Sequence, residues 1–328
     1  MKIVFHTHLA VDFSERIAAF AARFPDHDFV VAAEEAELVA AIPNADVLVD
    51  HRITPDLLDA AGELKWVFVP FTGVNTLPWE LLNEHGVQVS NNHGNAAIVA
   101  ERALALALAS MGRVAEFDRG MRRGHWFRRD ESREPFVMWT SLLGARVSIL
   151  GTGAIGSAIA RLVAPFTDDV VGFRRRSSAE VPPHFRSVST DLHEALSGAR
   201  VCFVALPHTA ATDSLLGEEE LVLLEGAFLV NVSRGSIVAE RPLYDALAQG
   251  RLAGAGIDAW YTYPNPFASD AYPSGYPFHE LENVVLSPHA GSHAPEGKLG
   301  QLEGTLKNLA ALIETGRPLD VVDRSAGY

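Results

Sequence analysis

The stretch Val147-Ser148-Ile149-Leu150-Gly151-Thr152-Gly153-Ala154-Ile155-Gly156, continued by SAIARLVAPF to Phe166, decides the fold. An apolar strand-like run leads into G-x-G-x-x-G, and a helical pattern follows. Each glycine has its own mechanical reason. The first permits a tight turn, the second lets the backbone approach a pyrophosphate, and the third lets helix and strand close on each other. The helix N-terminus then offers free N–H groups and a partial positive charge to phosphate oxygens. The glycine pattern alone is weak. The strand before it, the helix after it and a next strand at Val170–Phe173 supply the context it requires. The alternative is a glycine turn with no ligand.

Downstream, strand-like segments at Arg146–Leu150, Val170–Phe173, Val201–Ala205, Phe228–Val232, Gly256–Ala259 and Val284–Leu286 alternate with helical stretches. Each ends in a chemically loaded loop, and that carboxyl edge is where open α/β sheets bind ligands. Upstream, Lys2–Phe5, Phe29–Ala32, Val47–Val49, Trp66–Val69 and Val87–Val89 read as strands, with Phe13–Phe24 and Ala33–Ala41 as helices between them. This βαβ alternation predicts a second parallel sheet. Between the two series Asn95 suits an N-cap, and AAIVAERALALALASMGRVAEF is apolar on nearly every side. That pattern predicts a buried helix, wedged between two domains. Arg122, Arg123, Arg128, Arg129 and Arg133 then read as a solvated arm or a subunit contact.

Composition excludes several classes. The 328 residues suit two domains. With 27 basic against 41 acidic residues the net charge is −14, which repels a polyphosphate backbone and argues against nucleic acid. The single cysteine, Cys202, cannot form a disulfide within the chain and lies in an apolar run, as a buried structural thiol would. The segment MKIVFHTHLA has no secretory pattern, and no apolar run approaches the roughly 20 residues that span a bilayer. A cytoplasmic protein with no membrane partner is expected. His6, His8 and His93 match no firm ligand spacing, so no metal is expected.

The strand VVGF ends in Arg174-Arg175-Arg176-Ser177-Ser178 instead of the carboxylate that accepts a ribose 2′-hydroxyl. Guanidinium forks pair with a 2′-phosphate, so NADP(H) is the preferred cofactor, with Arg174, Arg175 and Ser177 as its candidate ligands. NAD(H), with an exposed basic turn, is the alternative.

Three later segments carry a resemblance: LPHTAATDSLLG (206–217), NVSRGSIVAERPLYDALAQGRLAGAGID (231–258) and HELENVVLSPHAGS (279–292). With the glycine loop, the FTG turn before Val74 and the NAAIVAE start of the long helix, they resemble the D-isomer-specific 2-hydroxyacid dehydrogenase family over nearly the whole chain. The resemblance implies a Rossmann-type doubly wound cofactor domain (99–290) inserted in a flavodoxin-like α/β substrate domain (1–98 plus 291–328). It also implies catalysis in the cleft between them and a homodimer formed through the cofactor domain. Ala154, Ile155, Leu206, Pro207, Thr212, Val232, Ser233, Asp258 and Gly291 become cofactor-binding candidates, and the backbone N–H groups of Gly73 and Val74 would hold the substrate carboxylate.

The chemistry follows independently. Reducing a 2-keto acid needs a cation that grips the carboxylate and polarises the carbonyl, and an acid that protonates its oxygen. Arg234 in N-V-S-R-G suits the first role by its forked geometry. His289 in S-P-H-A-G suits the second, since imidazole exchanges a proton near neutrality. Alone, each residue is more commonly a surface charge or a structural histidine; together, on strand-end loops of one sheet, they read as a catalytic pair.

One position departs from the family. Its histidine pairs with a glutamate five residues after the strand-end aspartate, here Asp258, and Tyr263 stands there. A tyrosine can orient the ring but carries no charge near neutrality, so His289 is expected to titrate lower than in relatives. Formate dehydrogenases of the family carry an uncharged amide there, with no further specific match to this chain. The Tyr/Pro-rich loop Trp260–Phe278 reads either as an aromatic wall over the substrate or as a rigid surface loop, and Asp270 or Glu280 could return the missing charge. His51 and Arg52 follow a strand, and Arg52 could bind a second anionic group or be an ordinary surface charge. The leading function is hydride transfer between NADP(H) and a small 2-keto or 2-hydroxy acid. Oxidation of another small anion, or a non-catalytic dinucleotide-sensing scaffold, are the alternatives.

Overall fold

A computed structural model describes residues 1–6, 13–126, 138–264, 271–324 and 327–328. Arg128, Arg129, Arg133, Asp270 and His8 lie outside the described residues. The chain forms two compact units, Met1–Asn95 with His293–Tyr328, and Ala96–Ser292.

The first unit is built on five parallel strands: β1 (Lys2–His6), β2 (Asp28–Ala32), β3 (Val47–Val49), β4 (Trp66–Phe68) and β5 (Gln88–Ser90). Their order, β2-β1-β3-β4-β5, is that of a flavodoxin-like sheet. Its helices are α1 (Ser14–Ala21), α2 (Glu35–Ala41), α3 (Pro55–Ala60), α4 (Trp79–Glu84) and the last helix of the chain, α11 (Pro295–Thr315). Both sheet faces are covered, which is why the strands are apolar runs without polar alternation. Val4, Leu48, Val67 and Val89 pack with Leu38, Leu58 and Leu82. Ile3, Phe5, Val47 and Phe68 pack with Phe20 of α1 and Leu302, Leu309 and Leu312 of α11. The start of α11 is pressed against the chain after β5. A Cβ on Gly94 would stand 1.8 Å from the Gly300 carbonyl oxygen.

The second unit carries seven parallel strands: β6 (Val147–Leu150), β7 (Val170–Phe173), β8 (Ser187–Ser189), β9 (Val201–Val204), β10 (Phe228–Asn231), β11 (Gly254–Ile257) and β12 (Val284–Leu286). The order β12-β11-β10-β9-β6-β7-β8 reverses between β6 and β9. This is the doubly wound arrangement, and the reversal is its ligand-binding switch point. The helices are α5 (Ala96–Met111), α6 (Val114–Arg122), α7 (Ala154–Val163), α8 (Leu192–Leu196), α9 (Glu218–Leu223) and α10 (Glu240–Ala248). Buried Cys202 fits the structural reading, its thiol pKa pushed up to about 12 by burial. No described helix is long and apolar enough to cross a membrane.

One expectation changes, and one strand was not anticipated. Helix α5 is not buried all round. Ala100, Ala103, Leu106 and Ala107 pack in the core of their own unit, while Ala97, Glu101, Arg102, Ala105 and Leu108 are exposed. Alanine favours helix without demanding burial, so an alanine-rich pattern overstates the apolar face. Strand β8 carries no apolar run, because an edge strand half open to solvent needs none.

Candidate active site

The glycine loop lies at the switch point, after β6. Gly151 has φ +103°, in the region that favours glycine, and a Cβ there would come within 2.5 Å of the Ala205 carbonyl oxygen after β9. A Cβ on Gly156 would stand 1.8 Å from the Gly151 oxygen. These two glycines are required by the chain's own packing. Gly153 is different: nothing lies within 4 Å of its would-be Cβ, which leaves its backbone open to a group from outside the chain. Ala154 and Ile155 open α7, where first-turn N–H groups have no acceptor within the helix. The cradle fits a pyrophosphate.

Beyond β7 no carboxylate follows Phe173. Arg174 donates from Nη2 to the carbonyls of Ser178 (3.0 Å) and Glu180 (2.8 Å), so its guanidinium braces the turn from within. Arg175 and Ser177 are exposed on that turn. After β9, Thr212 Oγ1 donates to the Pro207 carbonyl at 2.7 Å and accepts from the Thr209 N–H at 2.8 Å. The Ser233 hydroxyl donates to the Leu206 carbonyl, stitching the loops after β9 and β10 together. Val232 is buried beside it.

Arg234 is held by its backbone. Asn231, the last residue of β10, is buried and donates from Nδ2 to the Arg234 carbonyl at 2.9 Å, while its Oδ1 accepts from the Ser233 N–H at 3.0 Å. The next residue, Gly235, meets the loop after β11 so closely that a Cβ would stand 2.3 Å from the Trp260 carbonyl oxygen. The half-buried guanidinium donates from Nη1 to the Ser233 carbonyl at 2.8 Å. Burial draws its pKa below the ordinary value, and Tyr263 acts in the opposite sense, so the two side chains share one electrostatic environment.

Asp258 is only 2% exposed. Its carboxylate accepts from Ser287 Oγ (2.5 Å) and from the N–H groups of Ala290 and Gly291 (2.9 Å each). It therefore shapes the turn after β12, turned inward, instead of presenting itself to a ligand. A Cβ on Gly291 would press within 2.9 Å of this carboxylate. The turn leaves His289 in a left-handed conformation, φ +55°, which histidine tolerates better than most residues.

Tyr263 Oη lies 2.7 Å from His289 Nδ1 and accepts the Trp260 N–H at 3.2 Å. Trp260, nearly buried, donates from Nε1 to the Ser287 carbonyl at 2.8 Å. The residue five positions after Asp258 thus meets the histidine as a phenol. Most other aromatics of the loop serve rigidity. Tyr261 donates to the Val238 carbonyl at 2.9 Å, and Tyr244 stacks on Tyr276 and meets Phe278 edge-on. Glu240 accepts from Ser274 Oγ (2.7 Å) and the Gly275 N–H (3.0 Å). Glu280 Oε1 lies 3.9 Å from Nε2 of its neighbour His279.

In the first unit, Gly73 and buried Val74 follow β4, and the Thr72 carbonyl accepts from Asn91 Nδ2 at 2.7 Å. Arg52 is exposed after β3. His6 Nδ1 is 2.5 Å from Asp50, and His93 meets Thr72 at 3.2 Å. Among the described residues no group of three or more His, Cys, Asp or Glu could hold a metal ion.

Asn231, Gly235, Trp260 and Ser287 were not legible as site residues. A polar residue ending an apolar strand, as in FLVN, was the one available signal.

The family model for the D-isomer-specific 2-hydroxyacid dehydrogenase NAD binding domain matches residues 104–291. Glyoxylate reductase of Aeropyrum pernix is 32% identical over 281 residues, 84% of this chain and 82% of the relative. Glyoxylate reductase of Thermococcus onnurineus is 31% identical over 299 residues, 88% and 85%. Among solved structures, an NADPH-dependent glyoxylate/hydroxypyruvate reductase from Sinorhizobium meliloti, in complex with NADP and malonate, is 25% identical with a TM-score of 0.74, covering 99% of this chain and 97% of that one. With the glycine cradle at a doubly wound switch point and arginine and histidine on strand-end loops of the same sheet, these likenesses agree: the chain belongs to the D-isomer-specific 2-hydroxyacid dehydrogenase family, nicotinamide-dependent oxidoreductases that move hydride between 2-keto and 2-hydroxy acids.

Proposed function

We propose that this protein is an NADPH-preferring reductase of small 2-keto acids in which Arg234 and His289 are the catalytic pair and Tyr263 positions the histidine. The observation that carries this reading is the convergence on one sheet edge: Gly235 pressed against Trp260, and Tyr263 Oη 2.7 Å from His289 Nδ1. The second unit is the cofactor domain, held at Gly151, Gly153, Ala154, Ile155 and Gly156. Leu206, Pro207, Thr212, Val232 and Ser233 shape its far wall. A bound nicotinamide supplies or accepts the hydride. Arg234 pairs with the substrate carboxylate and draws charge onto the carbonyl oxygen, which its partly desolvated guanidinium does more strongly than one in water.

With Nδ1 on the phenol, proton exchange with the substrate oxygen falls to Nε2. For reduction, His289 starts as imidazolium, its Nδ1–H donating to Tyr263 Oη, and gives up the Nε2 proton. Tyr263 keeps the ring oriented throughout without supplying charge. Loss of that proton leaves a neutral imidazole.

NADPH preference rests on the absent carboxylate after Phe173 and on exposed Arg175 and Ser177, with Arg174 bracing their turn. A homodimer through the second unit is supported by exposed Leu108, Met138, Trp139 and Leu143. Steady-state rates with NADPH and NADH across a keto-acid panel test the whole reading. Arg234→Ala and His289→Ala are each expected to lose about 100-fold or more of kcat/KM, and losses below about tenfold would overturn the pair.

A further inference from the structure

The segment that carries Arg234 grips the loop that carries Tyr263 at three points. Gly235 is pressed against the Trp260 carbonyl, and the Tyr261 hydroxyl donates to the Val238 carbonyl at 2.9 Å. The third point is Glu240, the first residue of α10. Its Oε1 accepts from Ser274 Oγ at 2.7 Å and from the Gly275 N–H at 3.0 Å. Tyr244 follows one turn later on the same face of the helix and stacks on Tyr276, with ring centroids 5.3 Å apart. A carboxylate at the first position of a helix suits the macrodipole wherever its side chain lies. That of Glu240 is committed to the returning limb of the loop, residues 271–278.

What it holds there leads to the histidine. Pro273 precedes Ser274, and its carbonyl accepts from the N–H groups of Thr262 (2.9 Å) and Tyr261 (3.3 Å). Those two residues run directly into Tyr263, whose Oη lies 2.7 Å from His289 Nδ1. The Ser274 hydroxyl, donating to Glu240, accepts the Tyr276 N–H at 3.0 Å, so the carboxylate also sets the sense of that turn. Ser274 and Glu240 are half-buried and Gly275 is exposed. Donors at such places turn to water when their acceptor is removed, so losing the carboxylate costs the fold little. The position of the loop bears the loss instead, and a shift of about 1 Å at a catalytic group can cost about 100-fold in rate.

Resting on the proposed roles of Arg234, Tyr263 and His289, we infer that Glu240 is a positioning residue for the reduction. It fixes the returning limb of the loop and, through the Pro273 carbonyl, sets Tyr263 against His289 in register with Arg234. Its part is geometric, and no proton passes through it.

The test compares the wild type with Glu240→Ala, Glu240→Gln, Tyr263→Phe and the double variant Glu240→Ala/Tyr263→Phe. Steady-state rates are measured with glyoxylate, pyruvate and hydroxypyruvate, NADPH affinity by fluorescence titration, and the ring nitrogens of His289 by NMR. Glu240→Ala is expected to lower kcat about tenfold while KM and the NADPH Kd stay within about twofold. Glu240→Gln keeps an oxygen acceptor for Ser274 and Gly275 and should stay within about threefold of the wild-type kcat. The double variant should lose no more than Tyr263→Phe alone, because both changes act on one contact. In the NMR spectra one His289 tautomer is expected for the wild type and Glu240→Gln, and a mixture for Glu240→Ala.

Losses that multiply in the double variant, or an NADPH affinity that falls with kcat, would make Glu240 a general support of the fold and overturn the inference. If a keto acid is reduced and Glu240→Ala keeps kcat within about twofold, the positioning role is wrong and the reaction stands. If no keto acid is reduced yet Glu240→Ala alone mixes the His289 tautomers, the positioning stands and the reaction is wrong. With neither turnover nor a change of tautomer, both fall.

Discussion

At the carboxyl edge of the seven-stranded sheet, Asn231, Ser233, Asp258 and Ser287 are buried and hydrogen-bonded into the loops they join. At the same edge of the five-stranded sheet, Arg52 and Lys298 make no side-chain hydrogen bond or ion pair with any described residue. The difference separates two tasks. A saturated edge cannot rearrange cheaply, because each donor or acceptor left behind on moving costs its desolvation. It therefore holds Arg234 and His289 in one geometry, as the proposed catalytic pair requires. An unsaturated edge leaves no partner behind and can rearrange at little cost.

The sharpest way to break this contrast is to unsaturate the first edge. Asp258→Ala strands Ser287 Oγ and two N–H groups and frees the turn carrying His289. It is expected to lower unfolding free energy by about 2–4 kcal/mol and to reduce kcat more than KM changes, read by denaturant unfolding and steady-state rates. Full activity at undiminished stability would show that the buried carboxylate does not hold the site.

A smaller effect sharpens the role of Tyr263. With His289 as the proposed acid, the rate of reduction falls as pH rises through the histidine's pKa. Tyr263→Glu restores an anion beside Nδ1, which favours imidazolium, and should move that fall upward by about one pH unit or more. Tyr263→Phe should lower kcat by about tenfold with little shift of the profile, since orientation is lost but no charge changes. A profile indifferent to the glutamate would mean that Nδ1 is not the governing contact. Smallest of all, Arg175→Ala should reduce the NADPH to NADH ratio of kcat/KM by about tenfold, an exposed cation being worth roughly one charge-assisted contact. An unchanged ratio would place 2′-phosphate selection elsewhere.

Much of this was open to reading from the sequence, for a physical reason. G-x-G-x-x-G between strand and helix is constrained by backbone sterics, which depend on a few adjacent residues, and Gly151 and Gly156 meet those constraints. Apolar runs marked most strands within a residue or two, since burial on both sheet faces is a local demand. Family membership followed from the same strand-end segments and is carried by the match over residues 104–291. The weak points were also local in origin. Alanines in α5 mimicked a buried face, and polar β8 gave no apolar signal.

The sequence by itself determined the two parallel sheets, the cradle and the placing of Arg234, Tyr263 and His289 at strand ends, because each depends on short-range pattern. Only the tertiary structure decided that Tyr263 meets Nδ1 of a histidine 26 residues away, and that Arg174 braces its own turn. It also turned Asp258 inward. Those are contacts between loops of different strands, and hydrogen-bond partners across such distances follow from strand order and register, which no local window contains.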